Sequence, residues 1–455
     1  MSELRYLAAT GSLGAGFKES SLWAGVERRP DFIGCDAGST DGGPYSLGAG
    51  GWLHSPEATR RDLRFCLLAA RRAGVPLLIG SCGGGGTDEG VDRLAAMARE
   101  IAREEGLSFR LARIYAEPDR EAVVRAHAAG RLRPLVGAPE ISADSIRHSA
   151  RLVAMMGTEP FAHALEQGAD VVLAGRASDA SIYSAIPEWR GFDRGLTWHA
   201  AKIMECGSAA TANRRGQDCM FCTLDASGFV IEALDPELRC TPVSVAAHTL
   251  YENGDPFHLI EPSGTLDTTE ARFEALDDRR VRVTGSRFKV SPVYTLKLEG
   301  VEFAGYASLM LGSVRDPVLL GQLDSWLAGM RHQIEARLQV AFDKPIPYQL
   351  SIRAYGASGT LGAIEPTPGF EGHEALLLFD VVAPTQAAAS AIMKAVNHVA
   401  LHFPVPDWTG SITGLAQPYS PQVLDRGPVW RFNINHAIEV DDPLELYRFK
   451  FEEVS

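Results

Sequence analysis

The sequence has little positive charge and no long basic run. Its 455 residues include 57 acidic and 44 basic side chains, which gives a net charge of −13, and no basic run exceeds doublets such as Arg28-Arg29. Proteins that bind the phosphate backbone of a nucleic acid need clustered Lys and Arg side chains. The composition therefore argues against nucleic acid as a partner.

Long apolar stretches are also missing. None reaches the roughly 18–20 residues that a membrane-spanning helix needs, and glycine interrupts the longest candidates, as at residues 75–80. Residues 1–10 carry Glu3 and lead into a strand-like run, unlike a secretory signal. We therefore expect a cytoplasmic protein that does not enter a membrane.

Cysteine is sparse. The seven cysteines are scattered over the chain, which is typical of reduced thiols and not of a disulfide framework. Cys219 and Cys222 form a lone C-x-x-C with no second pair and no histidine at zinc-finger spacing. We interpret these two residues as structural thiols.

Nucleotide-binding motifs are absent as well. Residues 11–16 read G-x-x-G-x-G, which is not the dinucleotide fingerprint G-x-G-x-x-G, and no phosphate-binding G-x-x-x-x-G-K-[ST] occurs. Neither NAD nor ATP is therefore supported. Residues 248–267 contain histidines and carboxylates of the kind that bind a divalent metal, but their spacing matches no established ligand motif. The cofactor is unknown at this stage.

The residues that are present predict an α/β protein. In residues 1–240, short apolar runs alternate with helix-like stretches, which is the pattern of a mostly parallel, doubly wound sheet. In residues 241–455, strand-like runs are grouped apart from helical stretches, which predicts an α+β domain, ferredoxin-like in its second half. We predict two domains with a boundary near residue 240.

Three predicted strand ends lead into glycine-rich loops that finish in Ser or Thr and Asp. These loops lie at residues 34–44, 80–88 and 175–179. The carboxyl ends of parallel strands line one crevice, so we expect the three loops to meet at one substrate pocket. The candidate substrate-binding residues are Ser39, Thr40, Asp41, Gly83, Gly84, Gly85, Gly86, Thr87, Arg176, Ser178 and Asp179.

The four consecutive glycines at residues 83–86 precede a predicted helix. Backbone N–H groups without side chains, together with a helix N-terminus, make a cradle for an anion. The alternative for Thr87, Ser178 and Asp179 is an ordinary role at helix N-termini, because Ser, Thr and Asp are the preferred capping residues.

Acid–base candidates lie in the same half of the chain. Asp36 and Glu140 each follow a predicted strand, and the Arg176 guanidinium is shaped to hold a carboxylate at two points. His199 lies on a predicted helix, where it is either a proton-transfer residue or part of an ordinary surface helix. We name Glu140, Asp36 and His199 as candidate catalytic residues. The substrate class that fits Arg176 is a small carboxylic acid.

Several segments of the chain resemble the AtuA family, which is named for acyclic terpene utilisation in bacteria. These segments are residues 11–17, 35–44, 139–142, 170–179, 199–205, 255–267 and 315–317. The resemblance implies a place in the degradation of citronellol- and geraniol-type terpenes through acyl-CoA intermediates, without settled catalytic residues. The branch that the chain resembles is usually paired with a small companion protein of about 100 residues, one compact domain. The resemblance therefore also implies an oligomer with a second chain.

Two functions fit these observations. The first is an enzyme of lyase, hydratase or isomerase type that removes a proton next to the carbonyl of a small carboxylic acid or its CoA thioester, with the amides of residues 83–86 stabilising the oxyanion. The second is a non-catalytic subunit that binds a metabolite or scaffolds the small companion. Ligand-dependent thermal stabilisation without turnover is the behaviour expected of the second.

Overall fold

The computed structural model describes residues 3–367, 372–407 and 414–455. The chain divides into two compact units, one formed by residues 1–302 with 432–455 and the other by residues 303–431. We predicted a boundary near residue 240 between two domains that fold separately. Compact packing does not test separate folding, so this boundary stays a prediction.

The strands are numbered in chain order. They are β1 (Leu4–Ala8), β2 (Phe32–Asp36), β3 (Leu77–Gly80), β4 (Phe109–Tyr115), β5 (Leu132–Pro134), β6 (Arg151–Met155), β7 (Val171–Ala174), β8 (Met220–Leu224), β9 (Phe229–Ala233), β10 (His258–Glu261), β11 (Gly264–Asp267), β12 (Arg272–Ala275), β13 (Arg280–Thr284), β14 (Arg287–Val290), β15 (Tyr294–Val314), β16 (Gln349–Tyr355), β17 (Ala375–Ala383), β18 (Leu424–Val440) and β19 (Arg448–Val454).

The α-helices are numbered in the same way. They are α1 (Glu19–Glu27), α2 (Tyr45–Ala49), α3 (Pro56–Ala73), α4 (Asp88–Glu105), α5 (Arg120–Ala128), α6 (Ala143–His148), α7 (Glu159–Glu166), α8 (Asp179–Trp189), α9 (Arg194–Met204), α10 (Pro242–Thr249), α11 (Pro317–Leu320), α12 (Leu323–Val340) and α13 (Gln386–His402). In the described part of the chain, none of them combines the length and the apolar character needed to cross a membrane.

A ten-stranded sheet dominates the first unit. Its strand order is β12-β13-β9-β8-β1-β2-β3-β7-β4-β19. The five strands from β1 to β4 in this order pair in parallel, whereas the strands on either side of them pair antiparallel. The predicted α/β class is confirmed in this form, as a large mixed sheet that contains parallel strands.

The central strands are apolar on both sides because helices cover both faces of the sheet. Successive side chains of a strand point to opposite faces. Tyr6 and Phe32 accordingly belong to one buried cluster and Leu7 and Ile33 to another. All five residues of β2 and all four of β7 are buried.

Loops at the carboxyl ends of the parallel strands are joined by backbone hydrogen bonds. The Leu13 amide after β1 donates to the Asp36 carbonyl at 2.7 Å, and the Gly84 amide after β3 donates to the Ala37 carbonyl at 3.2 Å. The Arg176 amide after β7 donates to the Gly86 carbonyl at 2.9 Å. These contacts bring four distant segments of the sequence to one edge of the sheet.

Shorter pairings complete the first unit. Strands β10, β11 and β14 form a small antiparallel sheet. Strand β6 pairs with residues 297–301 of β15, and β5 pairs with residues 436–438 of β18. Because of the first of these pairings, the early part of β15 belongs to the first unit.

The second unit contains residues 303–314 of β15, α11, α12, β16, β17, α13 and the first part of β18. Strand order in its sheet is β16-β17-β15-β18. Helices α12 and α13 cover one face, where Trp326, Met330, Phe379 and Met393 form the core. The finer predictions, a doubly wound sheet and a ferredoxin-like domain, stay predictions.

Candidate functional site

Arg176 connects the loops at the strand ends. Its side chain is buried, its Nε donates to Glu299 Oε2 at 2.7 Å, and its Nη2 donates to Thr40 Oγ1 at 3.3 Å. Its Nη1 donates to Ser81 Oγ at 3.3 Å. Each guanidinium nitrogen has a partner in the protein, and these contacts hold the loops together. The predicted role of Arg176 in binding a substrate carboxylate stays a prediction.

Glu299 is the anion that balances this buried cation. It is 3% exposed, and its Oε1 accepts a hydrogen bond from Thr40 at 2.9 Å and pairs with Lys297 Nζ at 2.8 Å. Burial acts to raise the pKa of Glu299, but the charges of Arg176 and Lys297 outweigh burial and lower this pKa to about 2. The pair is therefore ionised at neutral pH.

Asp36 ends β2 beside this ion pair. Its side chain is 4% exposed, and its Oδ2 accepts a hydrogen bond from the Gly38 amide at 3.2 Å. Its Oδ1 is buried and has no partner among the described residues. Burial, followed by the negative charge of Asp179, raises the pKa of Asp36 well above its ordinary value despite the opposing charge of Arg176. A carboxyl group of this kind is suited to proton transfer.

Asp179 lies at the N-terminus of α8, where the site meets solvent. Its side chain is 35% exposed, and its Oδ1 lies 3.8 Å from Arg176 Nη1. Burial of its carboxyl group raises the pKa of Asp179 to about 6; the charge of Arg176 opposes this shift and that of Asp41 adds to it. Asp179 therefore changes its protonation state close to neutral pH. We call Asp36, Thr40, Arg176, Asp179 and Glu299 the strand-end site.

A second group of buried carboxyls adjoins Asp179. Lys202 Nζ donates to Glu205 Oε1 at 2.6 Å, and Ser178 Oγ donates to Glu261 Oε2 at 2.7 Å. Burial raises the pKa of Glu205 to about 8 and that of Glu261 to about 7. The charge of Asp179 adds to both of these shifts. Acid side chains therefore outnumber basic ones around the strand ends.

Three hydroxyl groups near these strand ends lack a hydrogen-bond partner within the described chain. They belong to Thr10 and Ser12, which follow β1, and to Tyr183 in α8. The Tyr183 ring packs over Gly34 of β2, where an added Cβ would lie 2.5 Å from its Cε1 atom. Buried hydroxyls without partners are costly unless a ligand or water satisfies them. A polar ligand or a water molecule beside Thr10 and Ser12 would satisfy the hydroxyls that follow β1.

The glycines at residues 83–86 are buried in tight backbone packing. An added Cβ would lie 2.5 Å from the Gly90 Cα at Gly83, 2.5 Å from the Gly51 carbonyl oxygen at Gly84, and 2.7 Å from the Leu47 Cα at Gly85. An added Cβ at Gly86 would lie 2.5 Å from the Arg176 Cα. Close backbone approach accounts for these glycines without an anion, so the predicted cradle stays a prediction.

Several of the predicted binding residues have hydrogen-bond partners within the protein. Thr87 caps α4, because its Oγ1 accepts a hydrogen bond from the Gly90 amide at 3.1 Å. Ser39 Oγ donates to Asp41 Oδ2 at 2.6 Å, and the Asp41 side chain is exposed. Ser178 precedes α8 but its side chain makes no capping hydrogen bond and binds Glu261 instead.

Glu140 lies away from the other candidates. It is exposed and follows β5, which pairs antiparallel with β18 and is not a strand of the ten-stranded sheet. We expected Glu140 at the crevice because residues 134–136 were predicted to form a strand of the parallel sheet. The structure therefore does not bring Glu140 to Asp36 and Arg176.

His199 is a core residue. It is fully buried, its Nδ1 lies 2.6 Å from Ser286 Oγ, and its Nε2 lies 2.9 Å from Thr249 Oγ1. Burial lowers the pKa of His199 to about 3. Both ring nitrogens are occupied and the ring is neutral, so His199 has no free nitrogen for a substrate.

Glu205, Glu261 and Glu299 were not among the residues selected from the sequence. Glu299 stands in an apolar run at Leu298–Val301, and a charged residue within a buried strand is the signal that it has a partner. Within the described residues, one group of His, Cys, Asp or Glu has metal-ligand geometry, namely Glu205, Cys206 and Glu252.

Comparison with known proteins gives one match. The sequence model described as "Acyclic terpene utilisation family protein AtuA" matches residues 61–420. Neither the curated proteins nor the solved structures contain a significant match to the chain. The matched segment includes Arg176, Asp179, Glu205, Glu261 and Glu299, and it points to a role in acyclic terpene catabolism. The chain therefore belongs to the AtuA family, the acyclic terpene utilisation family.

Proposed function

We propose that the protein is an enzyme of acyclic terpene catabolism that removes or delivers a proton at the carbon next to a carbonyl group. The substrate is a branched carboxylic acid or its CoA thioester, and the reaction is of lyase, hydratase or isomerase type. Family membership supports the catabolic role. The buried acids at the strand ends support the proton transfer.

One observation carries the chemical part of this proposal. Asp36 Oδ1 is buried and unpartnered, on a carboxyl group whose pKa is raised well above its ordinary value by burial and by Asp179. Structural carboxylates normally have hydrogen-bond partners on both oxygens when they are buried. In this proposal a substrate C–H or O–H group becomes the partner of this oxygen once the substrate is bound.

The other residues have supporting roles in this proposal. Asp179, which is partly exposed and has a pKa of about 6, exchanges the proton with solvent. The Thr10, Ser12 and Tyr183 hydroxyls donate hydrogen bonds to the carbonyl oxygen as negative charge develops on it. The Arg176–Glu299 pair is a positioning element that fixes the loops after β2 and β7.

Glu140 and His199 have no part in this mechanism. Glu140 is exposed on another strand, and the two nitrogens of His199 are already bonded to hydroxyls in the core. An oligomer, a small companion protein and a cytoplasmic location stay predictions. The alternative, a metabolite-binding subunit without activity of its own, is separated from the enzyme by the experiment below.

The experiment incubates the purified chain with the CoA thioesters of citronellic and geranic acids and with the free acids. Product formation and the melting temperature are measured in parallel. We expect turnover by the wild type and a loss of about 100-fold or more in Asp36→Asn. The control, Asp278→Asn, changes an exposed Asp in the turn between β12 and β13 and leaves turnover unchanged. A rise in melting temperature without turnover in the wild type would identify the binding subunit and overturn the enzyme proposal.

A further inference from the structure

Three side chains next to the strand-end site converge on one point. The carboxylates of Glu205 and Glu252 and the Cys206 thiol each offer one ligand atom, and these atoms lie within 4.8 Å of one another. A carboxylate oxygen and a cysteine sulfur each bind a divalent ion at about 2.0–2.3 Å. A small movement of the side chains would bring all three ligand atoms to one ion at the centre of the group.

Two separate segments supply these groups. Glu205 and Cys206 follow directly after α9, and Glu252 lies in the turn that follows α10. Lys202 occupies Oε1 of Glu205, and Oε2 accepts no hydrogen bond from the described residues. Glu205 is buried, Cys206 is half-buried and Glu252 is exposed, so the group opens to solvent on the Glu252 side.

His248 provides a second, independent observation. It lies in the last turn of α10, four positions before Glu252; it is 6% exposed, and its Nε2 atom is buried without a hydrogen-bond partner among the described residues. Burial, followed by the positive charge of Lys202, lowers the pKa of His248 to about 4. The His248 ring stacks on the Tyr251 ring with 5.6 Å between centroids, and Lys202 Nζ, which binds Glu205, lies 6.0 Å from the Tyr251 centroid. These contacts place the His248 ring in the same region as the group. A neutral imidazole with a free nitrogen is a common metal ligand.

We propose that Glu205, Cys206 and Glu252, with His248 beside them, form a binding site for a divalent transition-metal ion of the Zn²⁺ type. A set of carboxylate oxygens and a cysteine sulfur suits Zn²⁺ or Co²⁺ better than Mg²⁺ or Ca²⁺, which take oxygen ligands alone. Binding replaces the thiol S–H bond of Cys206 by a sulfur–metal bond and releases its proton to solvent. The proposal does not depend on the proposed proton transfer, because the test needs no substrate.

The test uses the full chain, stripped of metal with a chelator and then titrated with Co²⁺ alone. A thiolate-to-cobalt charge-transfer band in the near-ultraviolet reports sulfur ligation directly. We expect this band in the wild type, saturating at one Co²⁺ per chain and suppressed by Zn²⁺ added in competition. We expect Cys206→Ser to abolish the band and Glu252→Gln to weaken Co²⁺ binding at least 10-fold.

Matched controls separate ligation from damage to the fold. Cys240→Ser removes a buried cysteine that is not in the group, and Glu270→Gln removes an exposed carboxylate elsewhere. Both should bind Co²⁺ as the wild type does. Glu252 is exposed, so we expect Glu252→Gln to fold normally. This variant therefore tests the proposal even if Cys206→Ser fails to fold. The proposal is wrong if the wild type gives no charge-transfer band, or if Glu252→Gln binds Co²⁺ as tightly as Glu270→Gln does.

Discussion

Arg176 and Glu299 lie 123 positions apart in the sequence, and the Arg176 Nε donates to Glu299 Oε2 at 2.7 Å in the protein interior. Arg176 follows β7 of the large sheet, whereas Glu299 belongs to β15, which pairs with β6. The ion pair therefore connects two sheets within the first unit. It also holds Thr40, so that the loop after β2 takes its position from the same guanidinium.

Removing the charge of Glu299 should destabilise the fold strongly. In Glu299→Gln the Arg176 guanidinium stays buried without its nearest anion, and breaking a buried ion pair in this way costs about 3–5 kcal/mol in the free energy of unfolding. Denaturant unfolding of the variant measures this loss. The control is Glu121→Gln, which breaks the exposed pair of Glu121 with Arg147 and should cost far less. Equal losses in the free energy of unfolding would show that the buried Arg176–Glu299 pair stabilises the fold no more than an exposed pair does.

Neutralising Asp36 should stabilise the protein while it removes activity. The folded state raises the pKa of Asp36, so ionising this group costs more in the folded than in the unfolded chain, and the cost grows as pH rises above the unfolded value. Asp36→Asn should therefore increase the free energy of unfolding, and the gain should be larger at pH ~8 than at pH ~5, as measured by urea unfolding.

Asp62 provides the matched control for this substitution. It is also buried, but its Oδ2 accepts hydrogen bonds from the Gly14 and Gly16 amides, both at 2.9 Å. Asp62→Asn should lower the free energy of unfolding, because an amide accepts such bonds less strongly than a carboxylate does. A destabilised Asp36→Asn would show that Asp36 is an ordinary structural carboxylate.

The fold should lose stability in acid partly because of His199. Burial holds the pKa of His199 at about 3 in the folded chain, against about 6.5 for an unperturbed histidine. Between these values only the unfolded state binds the proton, so the free energy of unfolding falls as pH decreases, by up to about 1.4 kcal/mol per pH unit. His199→Gln should flatten this dependence between about pH 6 and pH 4, as measured by urea unfolding. An unchanged slope would mean that His199 is not held neutral.

Gly86 should tolerate no side chain. Its φ is +68°, and an added Cβ would lie 2.5 Å from the Arg176 Cα. Gly106, which ends α4, has a similar φ of +63° with nothing within 4 Å of an added Cβ. Gly106→Ala should cost about 1–2 kcal/mol for the left-handed backbone alone. Gly86→Ala should lower the melting temperature clearly more than Gly106→Ala does, because Arg176 must also move. Equal losses of stability in the two variants would show that Gly86 does not help to position Arg176.

Part of the site could be predicted from the sequence because strand ends carry a local signal. The apolar run before Asp36 and the one before Arg176 predict buried parallel strands, and parallel strands end at the same edge of a sheet. Thr40 and Arg176 are in fact hydrogen-bonded to each other. The glycine run marks a tight loop after β3, but the close backbone packing of that loop depends on Leu47 and Gly90, which the pattern does not include.

The rest depends on long-range pairing. Glu140 was expected at the crevice because the run before it looks like a sheet strand, and only the pairing of β5 with β18 reveals another location. Glu299 comes to Arg176 through the pairing of β15 with β6, which nothing near either residue indicates. The helical spacing around His199 could not distinguish a side chain facing the core from one facing a cleft.

The proposed role of Asp36 is to transfer a proton at the carbon next to the substrate carbonyl. The most direct measurement follows hydrogen–deuterium exchange at that carbon by proton NMR, in D₂O, with the CoA thioester of citronellic acid. We expect the wild type and Asp278→Asn to exchange this hydrogen at equal rates, and Asp36→Asn to exchange it at least about 100 times more slowly. Exchange that is equally fast in Asp36→Asn, or no exchange in the wild type above the rate without protein, would contradict the claim.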